Sequence, residues 1–207
     1  MNAQTERLHL QGAAGAIEVQ RDAPAGTPVG TAVIAHPHPL FGGTMDNKVV
    51  QTLARAFVQA GWTAVRFNFR GVGGSAGVHD EGRGEAEDMG AVLQALAPDG
   101  PVALAGFSFG AFVASRVLAA AWSTREVRKV VLVGTAAQRF EVSVLPPEAH
   151  DRTLVVHGEQ DDTVSLQSVM DWARPQSLPV TVVPGGGHFF HGQLPLLKSL
   201  VARHLRS

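Results

Sequence analysis

The chain contains no cysteine. That excludes disulfides, thiolate chemistry and cysteine-based metal sites. It also lacks any long run of charge of one sign. Its 17 Lys and Arg against 18 Asp and Glu leave a formal net charge of -1. Such a balance argues against a nucleic-acid surface and against attachment to an anionic membrane. The N-terminal stretch MNAQTERLHLQ has no apolar core. It reads as neither a signal peptide nor a membrane anchor, so the expectation is a soluble, cytoplasmic protein. There is no internal repeat and no low-complexity tract.

What remains is 207 residues with an ordinary apolar fraction. That is enough for one domain with a proper core and too few for two large ones. Residues 1–207 are therefore expected to form a single domain, with 1–30 as an edge hairpin and loop. Residues 7–20 contain two short alternating pieces around Gly12 to Gly15, the pattern of an antiparallel hairpin. Apolar runs at 31–35, 63–67, 102–105, 127–134, 152–157 and 180–183 read as strands. Helical periodicity follows most of them, over 47–60, 85–96, 110–121, 164–173 and 193–204. Thr44 is placed to cap the first of these helices. Residues 135–150 show no clean period and read as a loop holding at most a short helix. Strands alternating with helices predict an α/β fold: a mostly parallel central sheet with helices on both faces.

In such sheets, ligands gather beyond the carboxyl ends of the strands. His36 to Gly43, Arg70 to Gly74, Ser108, Asp161 and His188 all follow predicted strands there. The strongest signal among them is Gly106-Phe107-Ser108-Phe109-Gly110, between an apolar strand and an Ala-rich helix. Strand, tight turn and helix is the setting in which G-x-S-x-G lifts a serine clear of the sheet as a nucleophile. A serine hydroxyl needs a base, and the base needs an orienting acid. Of Glu159, Asp161 and Asp162, the sequence favours Asp161, which leaves room for its loop to turn inward and leaves Asp162 to cap a helix. Of His188, His191 and His204, it favours His188, which follows the flexible Pro184-Gly185-Gly186-Gly187 turn. A histidine suits this role because its ordinary pKa lies near working pH.

The reaction also needs donors for a developing oxyanion. Phe109 N–H is one, as the residue after the serine. Pro37 and Pro39 have no N–H, which leaves His38, Leu40 or Phe41 for the second, with Leu40 favoured by the glycines just beyond. Phe41 and Phe189 are expected to wall a substrate pocket. His36 and His38, at i and i+2 without an acidic partner, are weak metal ligands and are expected to brace their loop. Arg70-Gly71-Val72-Gly73-Gly74-Ser75 lacks the Lys and hydroxyl end of a phosphate loop, so no nucleotide is expected. Arg70 should anchor that turn through Asp80, Glu81 or Glu85. Neither a cofactor nor a metal is implied.

Longer segments carry a resemblance. AHPHPLFGGTMDNKVV, VRFNFRGVGGSAGVHDEGRGEAED, LAGFSFGA, VHGEQDDTV and GGGHFFHG, across residues 35–192, are similar to the α/β-hydrolase superfamily. In particular they resemble small bacterial hydrolases related to dienelactone hydrolases. The resemblance implies Ser108 as nucleophile, Asp161 as acid and His188 as base. It also implies that the Pro39-Leu40-Phe41-Gly42 turn supplies an oxyanion donor. Dienelactone hydrolases use a cysteine nucleophile, which this chain does not have. The family often inserts a cap after the sixth strand, and 135–150 is too short for a substantial one. The expected function is a serine esterase acting on small, short-acyl or exposed carboxylic esters. The same groups would serve a thioesterase, amidase or peptidase, and a non-catalytic ligand-binding protein on this fold is the alternative of another class. The protein is expected to be a monomer or homodimer.

Overall fold

The computed structural model describes residues 5–206. The strands are β1 (Glu6–Gly12), β2 (Gly15–Asp22), β3 (Thr31–Ala35), β4 (Thr63–Phe67), β5 (Val102–Phe107), β6 (Val127–Val133), β7 (Thr153–Gly158) and β8 (Val180–Val183). They form one sheet in the order β1-β2-β4-β3-β5-β6-β7-β8. The β1–β2 hairpin lies at one edge, and β2 is antiparallel to β4. From β4 to β8 every neighbouring pair is parallel.

Five helices cover the sheet: α1 (Lys48–Gln59), α2 (Arg83–Leu96), α3 (Phe109–Ala121), α4 (Leu166–Ala173) and α5 (Leu194–His204). Successive side chains of a strand point to opposite faces, so β5, buried and apolar along its whole length, feeds two cores. Val102 and Leu104 of β5 join the core under α2, α3 and α4. Ala103, Ala105 and Phe107 join the core under α1 and α5. No cap is inserted: after β6 the chain runs as loop to a short 3-10 turn at Pro147–Arg152. No helix among the described residues is long and apolar enough to cross a membrane.

Several boundaries differ from the sequence reading, each for a local reason. Asn47, not Thr44, caps α1, its side chain accepting from Val49 N–H at 2.8 Å. Thr44 instead accepts from Asp46 N–H in the turn before. Ser165, not Asp162, caps α4, so that helix starts later than expected. α2 starts at Arg83 because Glu85 reaches back to Gly82 N–H at 2.8 Å. Glu85 also accepts from Asp80 N–H, and Asp80 holds Arg83. With those acids committed, Arg70 does not pair with Asp80, Glu81 or Glu85. Its guanidinium meets buried Asp88 at 2.8 Å and Glu87 at 3.4 Å.

The topology opens one crevice. β4 lies on one side of β3 and β5 on the other, so the loops after β3 and β5 diverge. A crevice beyond the strand ends at such a switch point is the usual ligand position in open α/β sheets.

Candidate active site

Ser108 sits between β5 and α3 with φ 57 and ψ -116. A non-glycine residue at positive φ is strained, and the turn tolerates it only because its surroundings fix it. Two glycines make this possible. A Cβ on Gly106 would come within 2.2 Å of Gly110 O, and one on Gly110 within 2.3 Å of Ala35 O. Strand and helix thus touch backbone to backbone. Ser108 N–H is pinned to Val133 O of β6 at 2.8 Å. Phe109 N–H, in the first turn of α3, has no acceptor among the described residues.

The acid and the histidine come from two loops knitted together by their backbones. Gln160 N–H donates to Gly186 O at 2.8 Å, and Glu159 N–H to Val183 O at 3.0 Å. The Glu159 carboxylate accepts from Gly185 N–H at 2.8 Å. Buried Phe190, at φ 51, anchors the far end of the histidine loop. Gly187 and its neighbours give His188 the reach to lie against Phe107, ring to ring at 4.9 Å.

The result is one hydrogen-bonded line. His188 Nε2 is 3.0 Å from Ser108 Oγ, and His188 Nδ1 is 2.7 Å from Asp161 Oδ2. All three residues are buried. The second Asp161 oxygen accepts from Val164 N–H at 2.7 Å and Thr163 N–H at 2.9 Å. Burial alone pushes the Asp161 carboxyl up, but His188 and these two amides outweigh it and hold it below its ordinary range. Asp161 is therefore an anion facing the Nδ1 side of the imidazole. That orients the ring with its proton on Nδ1 and its Nε2 lone pair toward the serine.

The other candidates lie elsewhere. Asp162 is exposed and accepts from the Thr163 hydroxyl. His191 is exposed beside Phe189, and His204 Nε2 meets Arg152 O at 3.1 Å. Phe41 and Phe189 both line the Ser108 cleft, which has a volume of about 230 Å3. Leu40 N–H, in the 3-10 turn Pro39–Phe41, donates to His38 Nδ1 at 3.2 Å. The backbone N–H groups of Phe41 and Gly43 donate to His38 O.

Three residues escaped the sequence reading. His157 is fully buried behind Asp161, its Nε2 donating to Val164 O at 2.9 Å and lying 3.5 Å from Asp161 Oδ2. The His-Gly step at the end of a strand, just before the favoured acid, was its only signal. Arg139 lines the Ser108 cleft from a loop whose sequence has no period. Gly134, at φ 55, leaves space beside His188, whose Cε1 a Cβ there would meet at 3.3 Å.

His36 braces the neighbouring loops as expected. Its Nδ1–H donates to Pro37 O at 2.6 Å, and its Nε2 accepts from Phe69 N–H at 3.0 Å. Burial pushes its pKa down to about 4. The unfolded chain then binds a proton that the folded chain refuses, so stability rises with pH. This contribution is complete above the ordinary value of 6.5 and is lost as pH falls toward 4. The loss amounts to roughly 3 kcal/mol. Urea unfolding at pH 7 and pH 4.5 should show the drop, and His36→Gln should show a smaller one.

The comparisons with known proteins agree with this fold. A family model described as alpha/beta hydrolase fold matches residues 38–152. An uncharacterised protein of Rickettsia prowazekii (strain Madrid E) is 33% identical over 196 residues, covering 89% of this chain and 82% of the relative. The crystal structure of a serine hydrolase without a lid from Xanthomonas campestris is 36% identical, with a TM-score of 0.87, covering 100% of this chain and 95% of that one. A serine hydrolase homologue from Coxiella burnetii is 39% identical, with a TM-score of 0.82, and 97% of each chain is covered. With a family model spanning more than half its length and a relative a third identical over most of it, the chain belongs to the α/β hydrolase fold family.

Proposed function

We propose that the protein is a serine hydrolase of carboxylic esters, acting through an acyl-enzyme on Ser108. The observation that carries this reading is the continuous line from Ser108 Oγ through His188 to Asp161, at 3.0 and 2.7 Å. His188 Nε2 takes the serine proton as Oγ attacks the ester carbonyl. Asp161 stabilises the imidazolium that forms without taking its proton. Protonated His188 then releases the alcohol. Water attacks the acyl-enzyme by the same route and frees the acid.

Phe109 N–H is one donor to the oxyanion, unoccupied and beside the serine. Leu40 N–H is the second, by likeness to the oxyanion turn of dienelactone hydrolases. Its present partner is a neutral ring nitrogen at 3.2 Å. A developing oxyanion is the stronger acceptor and would outcompete it. The likeness to the lidless hydrolase from Xanthomonas campestris supports an open cleft. A cleft of about 230 Å3 with no cap favours short alkyl acyl groups over long ones.

The test is an ester, thioester and amide panel with the purified protein. The expected result is ester turnover that falls as the alkyl acyl chain lengthens from acetate to decanoate. Preference for decanoate would contradict the open, short-acyl site, and no ester turnover at all would contradict the function.

A further inference from the structure

Beyond the Ser108 cleft lies a larger space. A groove of about 1000 Å3 adjoins it, and His38, Phe41 and Arg139 line both. The groove's other wall is the second half of α3, with Arg116, Ala119 and Ala120, together with residues 139–144. Nothing in ester hydrolysis of a short substrate uses this space.

Its walls are rings with cations above them. Phe140 stacks on Phe112 at 4.7 Å with an interplanar angle of 16°. The His38 ring lies 4.8 Å from Phe41 and 5.9 Å from Phe140. Arg139 sits over the Phe41 ring at 5.8 Å, and Arg116 over the Phe112 ring at 5.6 Å. Among the described residues neither arginine has a carboxylate partner. Phe41 is 73% exposed, so its ring is open to a ligand. Glu81 and Glu141 also face the groove.

We propose that this groove is a second compartment of the substrate site, taking an aromatic ring with an anionic substituent on the non-reacting end of the ester. The inference rests on ester hydrolysis at Ser108. A planar ring can stack on, or meet edge-on, the exposed Phe41 ring and the half-buried His38 and Phe140 rings, and the guanidinium groups can lie over its face. The substituent then finds a free arginine. An alkyl chain does neither. It would displace water from four charged side chains, Arg116, Arg139, Glu81 and Glu141, and give them no partner in return.

The test compares esters of three kinds, all followed by proton release. Ethyl acetate is the small reference. The aryl esters are ethyl 3-(4-carboxyphenyl)propanoate and 2-(4-carboxyphenyl)ethyl acetate, which place the ring on either side of the ester. Ethyl octanoate and octyl acetate are the alkyl counterparts. Ala119→Trp and Ala120→Trp narrow the groove from an exposed helix face. The wild type should prefer at least one aryl ester over its alkyl counterpart. Each Trp variant should lower the kcat/KM ratio of that aryl ester to ethyl acetate about tenfold, through KM. An unchanged ratio, or an equal fall for the alkyl esters, overturns the proposal while leaving the Ser108 reading intact. A wild type that hydrolyses none of these esters removes the Ser108 reading and the proposal with it.

Discussion

Ser108→Ala should lower kcat for ester hydrolysis by about 10⁵- to 10⁶-fold and leave the fold unchanged. The size of the effect comes from the chemistry. Without Oγ there is no acyl-enzyme, and His188 has no nucleophile to deprotonate. What survives is the background supplied by binding and by the oxyanion donors. The fold should persist because the substitution removes one oxygen from a turn held by backbone. Ser108 N–H to Val133 O and the Gly106–Gly110 contact do not involve the side chain. Removing a hydroxyl from a strained position also creates no buried unpaired group other than His188 Nε2. Turnover of p-nitrophenyl acetate, alongside a urea melt of both proteins, checks the two halves of this expectation. A rate within tenfold of wild type would contradict it.

The second large effect is expected at Asp161→Asn, a fall in kcat of about 10⁴-fold. The amide is nearly isosteric with the acid. Its oxygen can stay with the Val164 and Thr163 amides, which lie at 2.7 and 2.9 Å from the native carboxylate. Its NH2 then faces His188 Nδ1, where a carboxylate oxygen stood at 2.7 Å. A donor there requires Nδ1 to be the lone pair, which moves the imidazole proton to Nε2. Nε2 then points a hydrogen at Ser108 and no longer acts as a base. The imidazolium of the transition state also loses its counter-ion. Because the loop is preserved, KM should change far less than kcat. A variant with kcat within tenfold of wild type would remove Asp161 from the mechanism.

How much of this was legible in the sequence depends on how local each feature is. Ser108 was readable because its turn, the strand before it and the helix after it are contiguous. Asp161 and His188 were readable as neighbours of Ser108 because both follow strand ends, in the expected chain order after the serine. Three acids in GEQDD looked equivalent in type. The sequence singled out Asp161 and left Asp162 to cap a helix; the coordinates set Asp161 facing His188, put Asp162 at the surface against Thr163 and show Glu159 holding Gly185 N–H.

Less legible were features set by a single turn of backbone. Starting α2 at Arg83 rather than Glu85 puts Glu85 at the third helical position, where it reaches back to Gly82 N–H, and leaves Asp88 for Arg70. A cap shifts from Thr44 to Asn47 for the same reason: several residues of suitable type compete, and the backbone angle decides. The groove beside the cleft was invisible. It is built from one face of α3 and from residues 139–144, a stretch with no periodicity, brought together only by the sheet order. His157 illustrates the remaining limit. A histidine at the end of a buried strand looks like any core residue until its distance to Asp161 is known.

The most direct measurement is reaction of the folded protein with a fluorophosphonate, followed by mass analysis of the intact chain and its peptides. The account predicts one adduct, on the peptide carrying Ser108, and none on Ser108→Ala. An adduct confined to another residue, or no adduct on a protein that still hydrolyses esters, would contradict it.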